Sequence, residues 1–327
     1  MAKKNRLKNR YNKWGYIFAI PFVVLFLVFH MWPLLSTIAY AFCDMRRFGC
    51  IPRFLPSIGE PWYRNFQQVF ESKSYNDAFR NTWIFFIAQV IPEWCIAFWL
   101  AAMVTDRRMK MKGRLVFKTA FLLPKLFQGS ALGGVLLGHI IATATSVVMY
   151  VTMAAALDGF GVDLQDIKFF MSVGFLTVVA SVFIHFGITF IYAVAGITSI
   201  PVELFEAAEM DGANRVQTFF RVTLPCMKPM MFFIAVVTLV EGLGMSDVPA
   251  AFGAFDSLRR NLTMMMYIQN QAFMGTYIFD RASAASLILL LMCGFFAVII
   301  YLLFMKDWDE AKLKRLQKKE LKAMENA

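Results

Sequence analysis

Between Trp14 and Cys43 the chain carries no Asp, Glu, Lys or Arg. Charge is scarce throughout: 17% of the 327 residues are charged and 59% are hydrophobic, where soluble domains carry about 25% charged residues. That scarcity argues against a soluble domain. Histidine is scarcer still, with three isolated residues that offer no metal constellation. No Gly-x-x-x-x-Gly-Lys-Ser/Thr loop is present, so the chain is not expected to bind or hydrolyse ATP. A Gly-x-Ser-x-Gly elbow is missing too. The five cysteines share no repeated spacing. Cys95, Cys226 and Cys293 read as inert, while Cys43 and Cys50 either pair outside a membrane or stay free. The basic start is followed by an apolar run that holds Pro21 and Pro33 and lacks a small-x-small cleavage site, so a retained first span is expected.

What is present is a succession of long apolar runs. A hydrocarbon core of about 30 Å needs about 20 residues to cross. The pattern predicts an all-α integral membrane protein with six spans: 14–43, 81–104, one near 115–142, one within 169–202, 229–246 and 282–305. His30, Trp32 and Pro33 are expected to mark the outer end of the first, and Pro92-Glu93 to interrupt the second. Residues 44–80 read as an external loop with a surface helix near 63–79. Residues 143–157 read as an apolar external helix, 158–168 as an acidic external loop, and 247–281 as a polar external segment. The net charge of +11 would suggest nucleic acid in a soluble protein. Here the basic residues crowd at membrane edges, where topology and anionic lipid account for them. Residues 1–13 hold six Lys/Arg and no acid. Placing both termini and the loop at 199–228 inside puts about two thirds of all Lys and Arg on the cytoplasmic side, as the positive-inside rule asks. The domain reading is a basic N-terminus (1–13), a transmembrane body (14–305) and a charged, helical, solvated tail (306–327).

Residues 199–228 form a polar island between two apolar runs. Pro201 suits a first helical turn, and Glu203 and Glu206 place negative charge toward that helix's positive end. Gly212 supplies a left-handed stop. Asn214 followed by Gln217 reads as a capping-box start for a second helix, which Pro225 and Pro229 are expected to end.

The order Glu206-Ala207-Ala208, Asp211-Gly212-Ala213, Phe219, Leu224-Pro225 and Pro229 resembles the EAA loop of ABC importer permeases, in the maltose-type, oligosaccharide branch. Asn81-Thr82, Phe121-Leu122-Leu123-Pro124, and Leu262-Thr263 through Ala284-Ala285-Ser286 extend the likeness over roughly residues 14–305. It weakens at 143–170 and at 250–260, where the family's Gly-Gly-Pro turn is absent. The resemblance implies a type I importer permease fold in the cell (inner) membrane. It implies a dimer of ABC ATPase subunits that carries ATP and Mg, a second homologous permease chain and an extracellular solute-binding protein docking on 44–80 and 247–281. The cargo it implies is a sugar or oligosaccharide. Glu206 would be the charged contact to the ATPase. Ala207 and Ala208 would keep the docking face low, Gly212 would set the angle of the elbow, and Val216, Phe219 and Phe220 would pack into the partner.

The substrate path is expected beside this loop. Gly187, within Phe183, Phe186 and Phe190, offers close backbone access among aromatic faces, although helix packing explains the same stripe. Glu241 and Glu93 are costly in lipid, by roughly 2.5 kcal/mol or more each, and are expected to face the cavity or a partner. Glu93 has a second reading, as the group that satisfies backbone freed by Pro92. His185 reads as an interior, satisfied histidine. Two other classes compete. An ion-coupled secondary carrier would use Glu93 and Glu241 and should carry inverted repeats, which are not evident. A membrane enzyme acting on lipid-linked sugars would need paired carboxylates or a metal at one interface, and none stands out.

Overall fold

The computed structural model describes residues 15–45, 50–105, 114–129, 173–253, 261–274 and 277–305. The expectations for 1–13, the second half of the third span, 143–157, 158–168 and the tail at 306–327 lie outside the described residues. Five described helices are long and apolar enough to cross a membrane. They are α1 (Gly15–Tyr40), α3 (Lys73–Thr105), a window of α5 (Thr177–Thr198 within Val173–Thr198), the run Lys228–Ala250 and α11 (Phe279–Phe304). Of the third expected span the structure describes residues 114–129, which are helical, α4 (Arg114–Gly129). The chain divides into two compact units, residues 1–76 with 264–290, and residues 77–263 with 291–327.

In the first unit, the loop read as mixed and external is built structure. An antiparallel ribbon pairs β1 (Cys43–Asp44) with β2 (Arg53–Phe54) in the register Cys43 with Phe54 and Asp44 with Arg53. Asn65, fully buried on α2 (Arg64–Glu71), donates through Nδ2 to the carbonyls of Ala41 at 3.0 Å and Cys43 at 2.8 Å. Its neighbour Arg64 pairs with Asp44 at 2.8 Å and lies 3.8 Å from Asp280. The Asp280 amide donates to the Met45 carbonyl at 3.2 Å. The expected single helix over 63–79 is broken instead at Ser72, where the backbone turns extended (ψ 115) before α3 begins at Lys73. The second span therefore starts eight residues earlier than its apolar run. Cys43 and Cys50 are both free thiols. Burial pushes the Cys43 thiol up from its ordinary value, whereas Cys50 is exposed. A higher pKa means less thiolate at neutral pH. Maleimide at pH 7.5 is expected to modify Cys50 several-fold faster than Cys43, read by mass spectrometry; equal rates would contradict it.

In the second unit, the core is a set of helical stripes. Ala97, Phe98, Ala101 and Val104 of α3 meet Phe186, Phe190, Ala193, Val194 and Ile197 of α5, joined by Met227 and Ile234. These recur at three, four and seven residues, one face of an α-helix. Inside a bilayer such contacts stabilise by close packing and not by escape from water. The apolar windows of α1 and α11 hold no fully buried residue, although Phe296 and Tyr301 of α11 pack on Trp83 and Phe232.

Proline did not break the spans where expected. Pro92 lies inside α3, which runs through it uninterrupted. Membrane helices accommodate such residues because neighbouring polar groups satisfy the freed backbone. Pro33 does not end the first span either; the helix continues to Tyr40. Just before it lies a π turn, Leu27–Met31, in which the Trp32 amide reaches the Leu27 carbonyl five residues back. The wider turn relieves the clash a proline ring makes with the carbonyl four residues earlier.

Candidate functional site: an exposed elbow and an intramembrane polar cleft

The elbow follows directly from its local sequence. Helix α6 (Val202–Met210) has Pro201 at its N-cap, one residue outside the first turn expected for it. Glu203 lies in the first turn, while Glu206 is farther along than a dipole contact requires. The C-terminus closes as a Schellman motif. The Ala213 amide donates to the Ala208 carbonyl at 2.9 Å, and the Gly212 amide to the Glu209 carbonyl at 3.0 Å. Gly212 sits at φ +74. Nothing lies within 4 Å of where its Cβ would be, so glycine is required here by backbone conformation and not by space.

The second helix, α7 (Arg215–Thr218), opens with a complete capping box. Asn214 accepts from the Gln217 amide at 2.8 Å, and the Gln217 side chain accepts from the Asn214 amide at 2.9 Å. The helix then widens into a π turn, Phe219–Thr223, and closes with Leu224–Cys226. Pro225 does not terminate it. As at Pro33, the residue before proline bonds five back, Leu224 to Phe219, and the proline occupies a turn where it owes no amide hydrogen. The actual break is at Met227 (φ −88, ψ 3), after which α8 (Lys228–Leu243) begins with Pro229 in its first turn.

The elbow has an inner and an outer face. Ala208 is buried, whereas Glu206, Ala207, Asp211 and Pro225 are exposed and Ala213 is half-buried. Phe219 and Leu224 are half-buried against the core, with Phe205. Ala208 faces this chain's own packing, and Phe219 keeps part of its ring outside it. The outer face carries Leu204, Met210, Val216 and Phe220, of which Met210 is 88% exposed. Four exposed apolar side chains on one polar loop suit a protein contact.

The expected aromatic stripe divides in the same way. Phe186 and Phe190 are buried, with ring centroids 5.2 and 5.6 Å from Phe121. Gly187 faces the Phe121 backbone so closely that any Cβ would collide with its carbonyl. This glycine lies at the contact of α5 with α4, in keeping with the helix-packing alternative for the stripe. Phe183 alone of the four is exposed.

Glu93 is 1% exposed and bridges two spans. Its Oε1 accepts from the Thr189 hydroxyl at 2.6 Å and its Oε2 from Gln89 Nε2 at 3.1 Å. The carboxylate is therefore held by side chains, and the reading of Glu93 as a partner for backbone around Pro92 is not needed. Glu241 pairs with Lys125 Nζ at 3.3 Å. Around that pair lies a cleft of about 270 Å³ lined by Lys125, His185, Glu241, Gly244, Met245, Ser246, Asp247 and Val248. His185 Nδ1 lies 2.8 Å from the Ser181 carbonyl. A carbonyl only accepts, so Nδ1 carries the hydrogen and Nε2 is the ring's acceptor. Sequence reasoning passed over Lys125 as part of this site. The available signal was that it is the only charge in 120–157, and an intramembrane cation needs an acidic partner on another span.

The pair makes a test. Removing one member of a buried ion pair costs about 3–5 kcal/mol, chiefly by stranding the other charge; residual exposure of both groups here lowers that figure. Lys125→Met is expected to lower the melting temperature of the detergent-purified chain, and Lys125→Met/Glu241→Met to recover most of the loss. A double variant as unstable as the single one would rule out the pairing.

This is the fold of the permease subunits of ABC importers. The crystal structure of a bacterial ABC transporter involved in import of the acidic polysaccharide alginate matches with a TM-score of 0.67 at 19% identity, covering 93% of this chain and 99% of that one. A bacterial alginate ABC transporter in complex with alginate pentasaccharide-bound periplasmic protein matches with a TM-score of 0.65 at 20% identity, over 90% and 94% of the two chains. In sequence the chain is similar to ABC transporter permeases along nearly its whole length. The probable ABC transporter permease protein YesP of Bacillus subtilis is 27% identical over 306 residues, 91% of this chain and 93% of its own. The arabinooligosaccharides transport system permease protein AraP of Halalkalibacterium halodurans is 27% identical over 308 residues, 93% and 92%. The sn-glycerol-3-phosphate transport system permease protein UgpA of Yersinia pestis is 26% identical over 289 residues, 85% and 90%. No family model matches the chain. The resemblance first seen in the elbow therefore holds for the chain as a whole.

Proposed function

We propose that this chain is a non-catalytic permease subunit of an ATP-driven importer. In this reading it lines the path of a sugar or oligosaccharide delivered by an extracellular binding protein. A separate ATPase dimer, carrying ATP and Mg, grips the elbow at 199–228. The observation that carries the reading is the elbow's construction: a rigid, doubly capped turn with an apolar outer face, anchored by Phe219 and Leu224 to the core beside α5 and α8. Force applied to Met210, Val216 and Phe220 would pass into the spans on either side as a rigid-body movement. Glu206, Ala207 and Asp211, all exposed, supply the polar part of the contact. Six crossings with both termini in the cytoplasm would put the elbow within reach of the ATPase. A second homologous permease would complete the path and cover exposed apolar faces. The relatives' names and the binding protein bound to the alginate transporter support the same assembly.

The test is uptake in cells that carry the chain with its neighbouring reading frames. ATP depletion is expected to abolish uptake, and collapse of the proton gradient alone to leave it. The opposite pattern would favour an ion-coupled carrier. Cysteine mapping that puts the elbow outside the cell would defeat the reading outright.

A further inference from the structure

We infer that the cleft around Lys125 and Glu241 is a subsite for an uncharged, polyhydroxylated part of the cargo, a sugar ring without carboxylate or phosphate, and that it disfavours anionic cargo. The inference rests on the permease reading and adds the chemistry of what passes. Its first support is charge. Among its described lining residues the cleft has one cation, Lys125, already 3.3 Å from the Glu241 carboxylate. Asp247 adds a second carboxylate at the exposed rim. Among the described lining residues, one formal positive charge thus stands against two negative ones. An entering carboxylate or phosphate would have to take Lys125 from Glu241, leaving that acid uncompensated in a low-dielectric setting. A neutral hydroxyl imposes no such exchange.

The second support is the mixture of polar groups. His185, tied through Nδ1 to Ser181, keeps Nε2 as acceptor. Lys125 has further N–H donors beyond the one aimed at Glu241, and Ser246 offers a hydroxyl that already donates to Asp247 at 3.2 Å. A sugar hydroxyl both donates and accepts, so it can bind at either kind of group without a change of charge. The third support is size. About 270 Å³ corresponds to about nine waters at roughly 30 Å³ each, room for a ring that displaces several of them.

The field in the cleft can be measured without knowing the cargo. In full-length chain whose five native cysteines are replaced by serine or alanine, Ser246→Cys is treated in membranes with three methanethiosulfonates: sulfonatoethyl (anionic), hydroxyethyl (neutral) and trimethylammonioethyl (cationic). Rates are normalised to each reagent's reaction with a free thiol in solution. The neutral and cationic reagents are expected to react more than threefold faster than the anionic one, and adding Glu241→Gln should bring that ratio toward unity. A ratio below threefold, or no reaction with any reagent, overturns the proposal. Val248→Cys, which lines the same cleft, serves if Ser246→Cys does not reach the membrane. ATP-driven uptake by the unsubstituted chain with its partners tests the permease reading separately. Failure there with the reagent order intact would remove the importer and leave the charge selectivity standing.

Discussion

Gly212→Pro is expected to abolish ATP-driven uptake while the protein remains in the membrane at close to normal abundance. Proline fixes φ near −65°, and this residue stands at +74, so the substituted backbone cannot form the turn. The amide that donates to the Glu209 carbonyl at 3.0 Å is lost as well, and with it half of the Schellman closure. The defect is confined to an exposed turn. No atom lies within 4 Å of the missing Cβ position, and the buried residues on either side, Ala208 and Thr223, belong to helices with their own hydrogen bonds. What changes is the angle at which Met210 and Val216 are presented. Two further variants separate conformation from size. Gly212→Ala meets no obstacle but pays the left-handed penalty of about 1–2 kcal/mol, and should lose part of the uptake. Gly212→Asn, which tolerates this region better, should lose least. Uptake of labelled cargo, normalised to membrane abundance by immunoblot, reads all three. Near-normal transport by Gly212→Pro would mean that the elbow does not couple ATP to movement.

The class of protein was legible because its signals are local or additive. Apolar runs of span length need only counting, and the elbow's capping box and glycine stop are formed between residues three to five apart. Gly212 and Asn214 could be placed for this reason. Reach across the fold was harder to read. Lys125 and Glu241 are 116 positions apart, and Glu93 meets Thr189 from another helix; no spacing rule links such pairs. The packing role of Gly187 was legible only as one of two alternatives, since a glycine near phenylalanines reads equally as an opening or as a close contact until the neighbouring backbone is known. The prolines misled for a different reason. Rules drawn from soluble helices treat Pro33, Pro92 and Pro225 as ends. Two of these helices instead widen by one residue just ahead of the ring, and the third runs on unchanged. The loop at 44–80 was underestimated because its order comes from a few long-range polar contacts, Asn65 to Ala41 and Arg64 to Asp44 and Asp280, which leave no apolar period to detect.

Gly187→Val is expected to destabilise the second unit by forcing two of its helices apart. A Cβ at this position would collide with the Phe121 carbonyl, and would stand 2.9 Å from the Phe121 carbonyl carbon and 3.5 Å from Leu122 Cα. These are backbone atoms of a helix, so no rotamer change can relieve them; α4 and α5 must separate. Separation also opens the edge-to-face contacts of Phe121 with Phe186 and Phe190, removing packing that a membrane interior cannot replace through the hydrophobic effect. Overpacking of a tight core costs about 1–3 kcal/mol, and a rigid backbone obstacle places this site at the upper end. At about 2–4 °C per kcal/mol for domains of 150–250 residues, the melting temperature should fall by several degrees, with lower membrane abundance. Two controls assign the cause. Gly294→Ala, where nothing lies within 4 Å of the added Cβ, should leave the melting temperature unchanged. Phe183→Ala, at an exposed site on the same helix as Gly187, should spare stability; if that ring lines the path, uptake alone falls. A heating series read by fluorescence size-exclusion of the detergent-solubilised chain makes the comparison. Should Gly187→Val melt with the parent, the close approach of the two helices is wrong, and the residue returns to consideration as part of the substrate path.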